Sequence, residues 1–305
     1  MFSVELLDSA LFASVFRALI PILLAAIGGL ICERAGVFNI GLEGLMLSGA
    51  FAAVAGSYFS GSAYAGVLSG VVAGVAVSSV LAYGAVTRKG DPIVLAVALN
   101  LFAVGITAFL LVAVWDVRGV FQDPRIVGLK TMPIPALSQL PWLGSVLFNL
   151  TLVGYVALLV VPVVQLVLFR TAVGLRLRGV GERPLAASSL GVQPGRYQYG
   201  AILASGALCG LAGAQLSLGN VVQFAENMTS GRGWIAVVAV MLARAHPVGV
   251  LGAALLFGFA EAIGFRLQGN GLPSQLTDAA PYVVTLVALV VARRQFARAS
   301  TSVAT

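Results

Sequence analysis

Apolar runs long enough to cross a membrane recur along the whole chain, and that recurrence decides the fold class. About twenty apolar residues cross a hydrocarbon core of about 30 Å. Such runs fall near 10–31, 38–59, 63–86, 92–115, 145–169, 198–219, 248–267 and 278–292. A further run at 232–243 would reach only about 18 Å as a helix, so it reads as a broken or re-entrant segment, or as one continuing through Arg244. Hydrophobic residues make up 59% of the 305 and charged residues 10%, against roughly 25% charged in soluble domains. That excludes a soluble enzyme and a disordered chain. The 36 glycines show no period of three, which excludes a collagen-like chain. The repetition of runs excludes a single-span anchor. The expectation is an all-α, polytopic membrane protein of about eight to ten transmembrane helices, forming one domain over 1–305.

Lys and Arg orient the spans, because cytoplasmic loops are enriched in them. The net charge of +7, from 18 basic and 11 acidic residues, reads this way rather than as a nucleic-acid surface. The loop 170–197 carries Arg170, Arg176, Arg178, Arg183 and Arg196 and is placed inside. Arg34, Arg88 with Lys89, and Arg293, Arg294 and Arg298 are inside too, which leaves 116–144 as an external loop. Nine crossings with an external N-terminus satisfy these anchors. Arg17 interrupts the first run and leaves an alternative, an interfacial amphipathic helix over 3–17. The opening MFSVELLDSA has no basic leader and reads as lacking a cleavable signal.

Gly66, Gly70 and Gly74 share one helix face, as do Gly206 and Gly210, which lets helices approach closely. Cys32 and Cys209 read as small packing residues. Gly66-Val67-Leu68 and Gly249-Val250-Leu251 open two spans of opposite direction, a hint of an inverted repeat.

Little in the sequence speaks for enzymatic chemistry. There is no GxxxxGK[ST] phosphate loop, HExxH motif or Ser-His-Asp arrangement, and His246 is the single histidine. No catalytic residue, metal or cofactor is therefore expected. Ionisable groups at membrane depth are functional candidates by default. Here they are Arg17, Glu43 and Glu261. Glu43 lies near the cytoplasmic start of a span, where it also suits a structural acid bonded to backbone or to Arg34; Glu261 lies deeper. With the neutral Asn39, Asn100, Gln215 and Asn220, the two acids make a candidate translocation pathway for a polar, uncharged solute. In the basic loop, Pro184 fits a helix start and Gly191 a helix stop. A short helix over 182–190 is expected there, suited to docking a cytosolic partner.

Three stretches resemble a known family. Glu33-Arg34-Ala35-Gly36-Val37-Phe38-Asn39-Ile40-Gly41-Leu42-Glu43-Gly44 is similar to a signature of ATP-binding cassette (ABC) importer permeases. Thr171–Arg176 with Gly181-Glu182-Arg183-Pro184-Leu185-Ala186-Ala187 resembles their cytoplasmic coupling loop, and 231–258 resembles a third shared stretch. One departure is Ala243-Arg244-Ala245-His246, where the family often has a Gly-rich turn. The first stretch leans toward the simple-sugar and nucleoside branch, and within it toward nucleosides. The resemblance implies a multi-pass permease of the bacterial inner membrane working by alternating access. It also implies an ATPase subunit docked on Gly181–Ala187, a second and non-identical permease, and an extracytoplasmic binding protein. Simple sugars and branched-chain amino acids are alternative cargoes. A stand-alone secondary transporter, needing ion ligands at mid-membrane, and a channel, needing a polar ring, are alternative classes. The missing phosphate loop yields a first prediction: the purified chain, freed of co-purifying subunits, neither binds nor hydrolyses ATP in a nucleotide-binding and phosphate-release assay.

Overall fold

The computed structural model describes residues 9–133, 149–269 and 283. The helices are α1 (Ser9–Arg34), α2 (Leu42–Ser60), α3 (Ala63–Ala82), α4 (Pro92–Trp115), α5 (Leu152–Arg170), α6 (Ala172–Glu182), α7 (Pro184–Ser189), α8 (Pro194–Ala214), α9 (Arg232–Leu242) and α10 (Pro247–Gly269). π-Helical turns prolong α3 over Tyr83–Thr87 and α8 over Gln215–Val221. Among the described residues, seven helices are long and apolar enough to cross a membrane, and α9 is a shorter apolar one. The expected span 278–292 lies outside the described residues apart from Val283.

Several expected boundaries move for local reasons. The second helix starts at Leu42 rather than 38, because 35–41 are used to carry the chain back up from the end of α1. The fifth starts at Leu152 rather than 145, with the Thr151 hydroxyl accepting from Gly154 N–H at 3.1 Å. Residues 9–17 form the first turns of α1, continuous with the rest, so they are not a separate interfacial helix; residues 3–8 of that alternative lie outside the described residues. Arg17 is exposed there.

The basic anchors Arg34, Arg88, Lys89 and the 170–197 loop collect at one end; Arg293, Arg294 and Arg298 lie outside the described residues. Gly36 abuts Gly181, Arg34 Nε donates to the Ala245 carbonyl at 2.7 Å, and Thr87 hydrogen-bonds Tyr199. Two small antiparallel sheets lie at the other end: β1 (Val120–Phe121) pairs with β4 (Phe224–Ala225), and β2 (Thr131–Pro133) with β3 (Asn149–Thr151). Trp115 stacks on Phe121 there at 4.3 Å between ring centroids, with Tyr58 and Phe59 alongside. Segment 222–246 thus crosses in two pieces, an irregular run from β4 and then α9. Gly66 and Gly249 fall in the first turns of α3 and α10, and the pairs α2–α3 and α9–α10 run in opposite senses.

The centre is a three-helix unit of α2, α3 and α8, sealed by glycine. A β-carbon at Gly49 would stand 2.6 Å from Gly210 Cα, and one at Gly70 would stand 2.9 Å from the Gly49 carbonyl. Gly74 and Gly206 meet backbone to backbone in the same seam. Such contact suits membrane helices, whose association rests on van der Waals fit rather than on hydrophobic exclusion from water. Cys32 and Cys209 are free and buried beside this unit, with the Cys32 thiol on the Ala201 carbonyl at 3.4 Å. By contrast α4 and α5 present Leu101, Phe109, Leu159 and Leu166 outward. The seam yields a second prediction. Gly210→Val should cost roughly 1–3 kcal/mol by overpacking and lower the melting temperature in detergent. Gly200→Ala, where an added β-carbon meets nothing within 4 Å, should leave it nearly unchanged.

Candidate functional site

Two helices begin inside the spanning layer. Residues 35–41 turn back from the cytoplasmic end of α1 and deliver α2 beside Asn100. That residue is eight positions past Pro92, roughly 12 Å along α4 at about 1.5 Å per residue. The eleven residues of α9 cover about 16 Å and end at the turn held by Arg34. The start of α9 therefore also lies at membrane depth. The first backbone N–H groups of a helix have no partner within it. Leaving such a group unpaired in hydrocarbon costs several kcal/mol.

Polar side chains from other elements supply the missing acceptors. At α2, Gly44 N–H donates to Asn100 Oδ1 at 2.8 Å, and Asn100 Nδ2 donates to the Ile40 carbonyl at 3.1 Å. Gly41 N–H donates to Asn39 Oδ1 at 2.9 Å, and Asn39 Nδ2 donates to Ser205 Oγ at 3.1 Å. At α9, Gly231 and Gly233 N–H donate to the two Glu43 carboxylate oxygens at 2.8 and 2.6 Å. A carboxylate at a helix start also answers the positive end of the helix dipole. Gly233 is required for this approach: its missing side chain would collide with the Glu43 backbone.

Glu43 is thus a buried backbone acceptor at membrane depth, not an interfacial group. Its partners are Gly231 and Gly233; Arg34 instead donates to the carbonyls of Ala245 and Arg244, the latter at 3.1 Å. Those two carbonyls belong to the turn that departs from the family pattern. Arg244 and Ala245 hold left-handed φ values of 50° and 49°, so non-glycine residues take the shape glycine would favour.

Glu261 is buried, as a deep acid should be, and pairs with Arg232. Arg232 also donates to the Met228 and Thr229 carbonyls at 3.2 and 3.3 Å. Sequence reading missed Arg232, because it opens an apolar run and looks interfacial. The signal was present nonetheless: a deep Glu261 needs a cation, and Arg232 stands between glycines in Gly231-Arg232-Gly233. Removing one member of such a pair costs roughly 3–5 kcal/mol. Gln215 and Asn220 form a separate group nearer the outer end. Thr151 donates to Gln215 Oε1 at 2.7 Å, Gln215 Nε2 to Asn220 Oδ1 at 3.3 Å, and Asn220 Nδ2 to the Arg17 carbonyl at 3.3 Å.

The expected helix over 182–190 divides. Gly181 and Glu182 end α6, Arg183 breaks the path at φ −146°, ψ 82°, and α7 starts at Pro184. The Thr171 hydroxyl caps α6 by accepting from Gly174 N–H at 3.2 Å. Leu185 and Leu190 are 85% and 83% exposed, whereas Ala187 is buried against the protein. An adjacent groove of about 900 Å3 is bounded by Val86, Thr87, Ser188, Gln193, Arg196 and Tyr199.

The comparisons with known proteins agree with this architecture. The guanosine ABC transporter permease protein NupQ of Bacillus subtilis is 36% identical over 282 residues, covering 88% of this chain and 87% of that protein. The nucleoside ABC transporter permease protein NupC of Lactococcus lactis is 34% identical over 280 residues, covering 88% and 87%. TsgC13 of Haloferax volcanii, a permease named for glucose, is 36% identical over 260 residues, covering 84% and 77%. The fold is shared with an inward-facing ABC transporter described as of metal-chelate type, at a TM-score of 0.57 and 16% identity, covering 91% and 85%. A family model described as "Branched-chain amino acid transport system / permease component" matches residues 11–291, and the chain is a multi-pass membrane permease component belonging to that family.

Proposed function

We propose that this chain is the permease subunit of an ATP-driven importer that carries nucleosides across the cytoplasmic membrane by alternating access. The observation that carries the reading is identity of 36% and 34% to two permeases named for guanosine and nucleosides, sustained over 88% of the chain in each case. The site chemistry supports a neutral solute. Glu43, Glu261 and Arg232, buried at membrane depth, are spent on one another and on backbone, so a nucleotide's phosphate would find no spare cation among them. A sugar is the second reading, favoured by the 36% identity to TsgC13.

In this reading the ATPase docks on the segment Gly181–Ala187 through its exposed side, Gly181 and Ala187 themselves packing against the permease. Support comes from α7, where Leu185 and, just past the helix end, Leu190 stand almost fully exposed at the cytoplasmic end, as an unfilled helix-in-groove contact would leave them. A second, non-identical permease and an extracytoplasmic binding protein complete the assembly. Asn39, Glu43, Asn100 and Glu261 set the shape of the route at depth, and Gln215 and Asn220 shape it nearer the outer end. No cofactor beyond the partner's ATP is needed.

Two outcomes test this. Proteoliposomes holding the whole complex, given labelled nucleosides, ribose, galactose and leucine, should accumulate nucleosides in an ATP-dependent way. Uptake of a sugar or leucine without nucleoside uptake or competition rejects the nucleoside assignment. Leu185→Asp with Leu190→Asp should lower uptake at least tenfold, the scale of a hot-spot loss of about 2 kcal/mol, with membrane insertion intact. Ala187 is the wrong probe for docking, since it faces inward.

A further inference from the structure

Arg232 lies where the broken crossing changes from irregular chain to helix. Its guanidinium reaches three acceptors, the Met228 and Thr229 carbonyls of the incoming chain and the Glu261 carboxylate of α10. On either side of it, Gly231 and Gly233 N–H are held by Glu43 of α2. One residue of α9 is therefore gripped by its backbone neighbours from α2 and by its side chain from α10. Glu261 Oε2 is buried without a hydrogen-bond partner, so the pair engages one carboxylate oxygen and leaves the other unspent. Thr229 is fully buried in the same turn, its hydroxyl also unpartnered.

The far end of α9 is tied to the partner-facing side. Arg34 holds the 243–246 turn through the carbonyls of Arg244 and Ala245. The chain just past Arg34 touches α6, where Gly36 meets Gly181 backbone to backbone. Then α6 leads within two residues to α7. A displacement of α7 and α6 thus bears on the lower end of α9 through close contacts. What happens at the upper end depends on whether its start is fixed.

Resting on the importer reading above, we propose that Arg232 is a positioning residue of the transport step: it fixes the membrane-buried start of α9 between α2 and α10, so that movement imposed at the cytoplasmic end reaches the solute's route instead of being lost as local slack. Arg232 touches no solute in this assignment; it acts through the placement of 228–233. A lysine keeps the charge but lacks the planar fork that spans both carbonyls and the carboxylate at once. An apolar pair in place of Arg232 and Glu261 removes the charges without leaving one stranded.

The test uses the complete complex in proteoliposomes. Arg232→Gln, Arg232→Lys and the double variant Arg232→Met with Glu261→Leu are compared for solute taken up per ATP hydrolysed. Each is also combined with Thr229→Cys and assayed for modification of the introduced thiol by a membrane-impermeant reagent. The expectation is a ratio lowered at least tenfold in Arg232→Gln and in the double variant, lowered less in Arg232→Lys, with the introduced thiol labelling at least tenfold faster in the first two. Where Arg232→Gln does not assemble, the double variant carries the comparison. A double variant with the parental uptake ratio and parental labelling overturns the proposal and leaves the pair a packing element. Labelling does not depend on which solute is carried. A parental complex that imports none of the four solute classes therefore defeats the functional reading, while the labelling rates still decide the role of Arg232.

Discussion

Two helices that start inside the spanning layer have first-turn N–H groups with no partner in the helix itself, and much of this structure follows from finding acceptors for them. An ordinary spanning helix satisfies its backbone internally and needs its neighbours only for packing. Here α2 and α9 begin at depth, so α4 must bring Asn100 to Gly44, and α2 must bring Glu43 to Gly231 and Gly233. These bonds dictate which helices are adjacent. They also explain why the glycine seam is so tight: α2 is held against α8 by Asn39 on Ser205, and only glycine lets the backbones of α2, α3 and α8 meet there.

The same constraint shows which parts of the fold were legible in sequence. The seven long apolar helices and the glycine faces follow from composition and spacing, which are properties of single segments. Asn39, Glu43, Asn100 and Glu261 also stood out, because polar groups in apolar runs are conspicuous. Their partners did not, since the hydrogen bond from Gly44 N–H to Asn100 joins residues 56 positions apart and no local pattern encodes it. The start of α2 was misplaced for the same reason. Residues 38–41 are apolar enough to read as helix, and only the tie of Asn39 to Ser205 and to Gly41 fixes them otherwise. In the basic loop, α6 escaped notice because Leu175, Leu177 and Val180 alternate with arginines and glycines over just eleven residues, while Pro184 and Gly191 marked α7 plainly.

Polar residues at membrane depth are usually read as binding groups. Here Asn39, Glu43, Asn100, Gln215, Asn220 and Glu261 each make at least one hydrogen bond or ion pair within the protein. A permease gains from that arrangement, because a solute that met many free donors and acceptors would be held rather than released.

A broken crossing adds something an unbroken one lacks. A continuous helix transmits force from end to end but has no internal point at which a side chain can be re-aimed. Segment 222–246 has an irregular upper half anchored to β1 through Val120–Ala225 and Phe121–Phe224, and a helical lower half anchored to Arg34. The two halves join at 227–233, where left-handed Asn227, Ser230 and Gly231 (φ 54°, 47° and 84°) sit beside the buried charges. Backbone in that region is costly for non-glycine residues and persists because Glu43, Glu261 and Arg232 over-determine it. The joint of the crossing is thereby held by bonds to α2 on one side and to α10 on the other, so its placement depends on both helices at once.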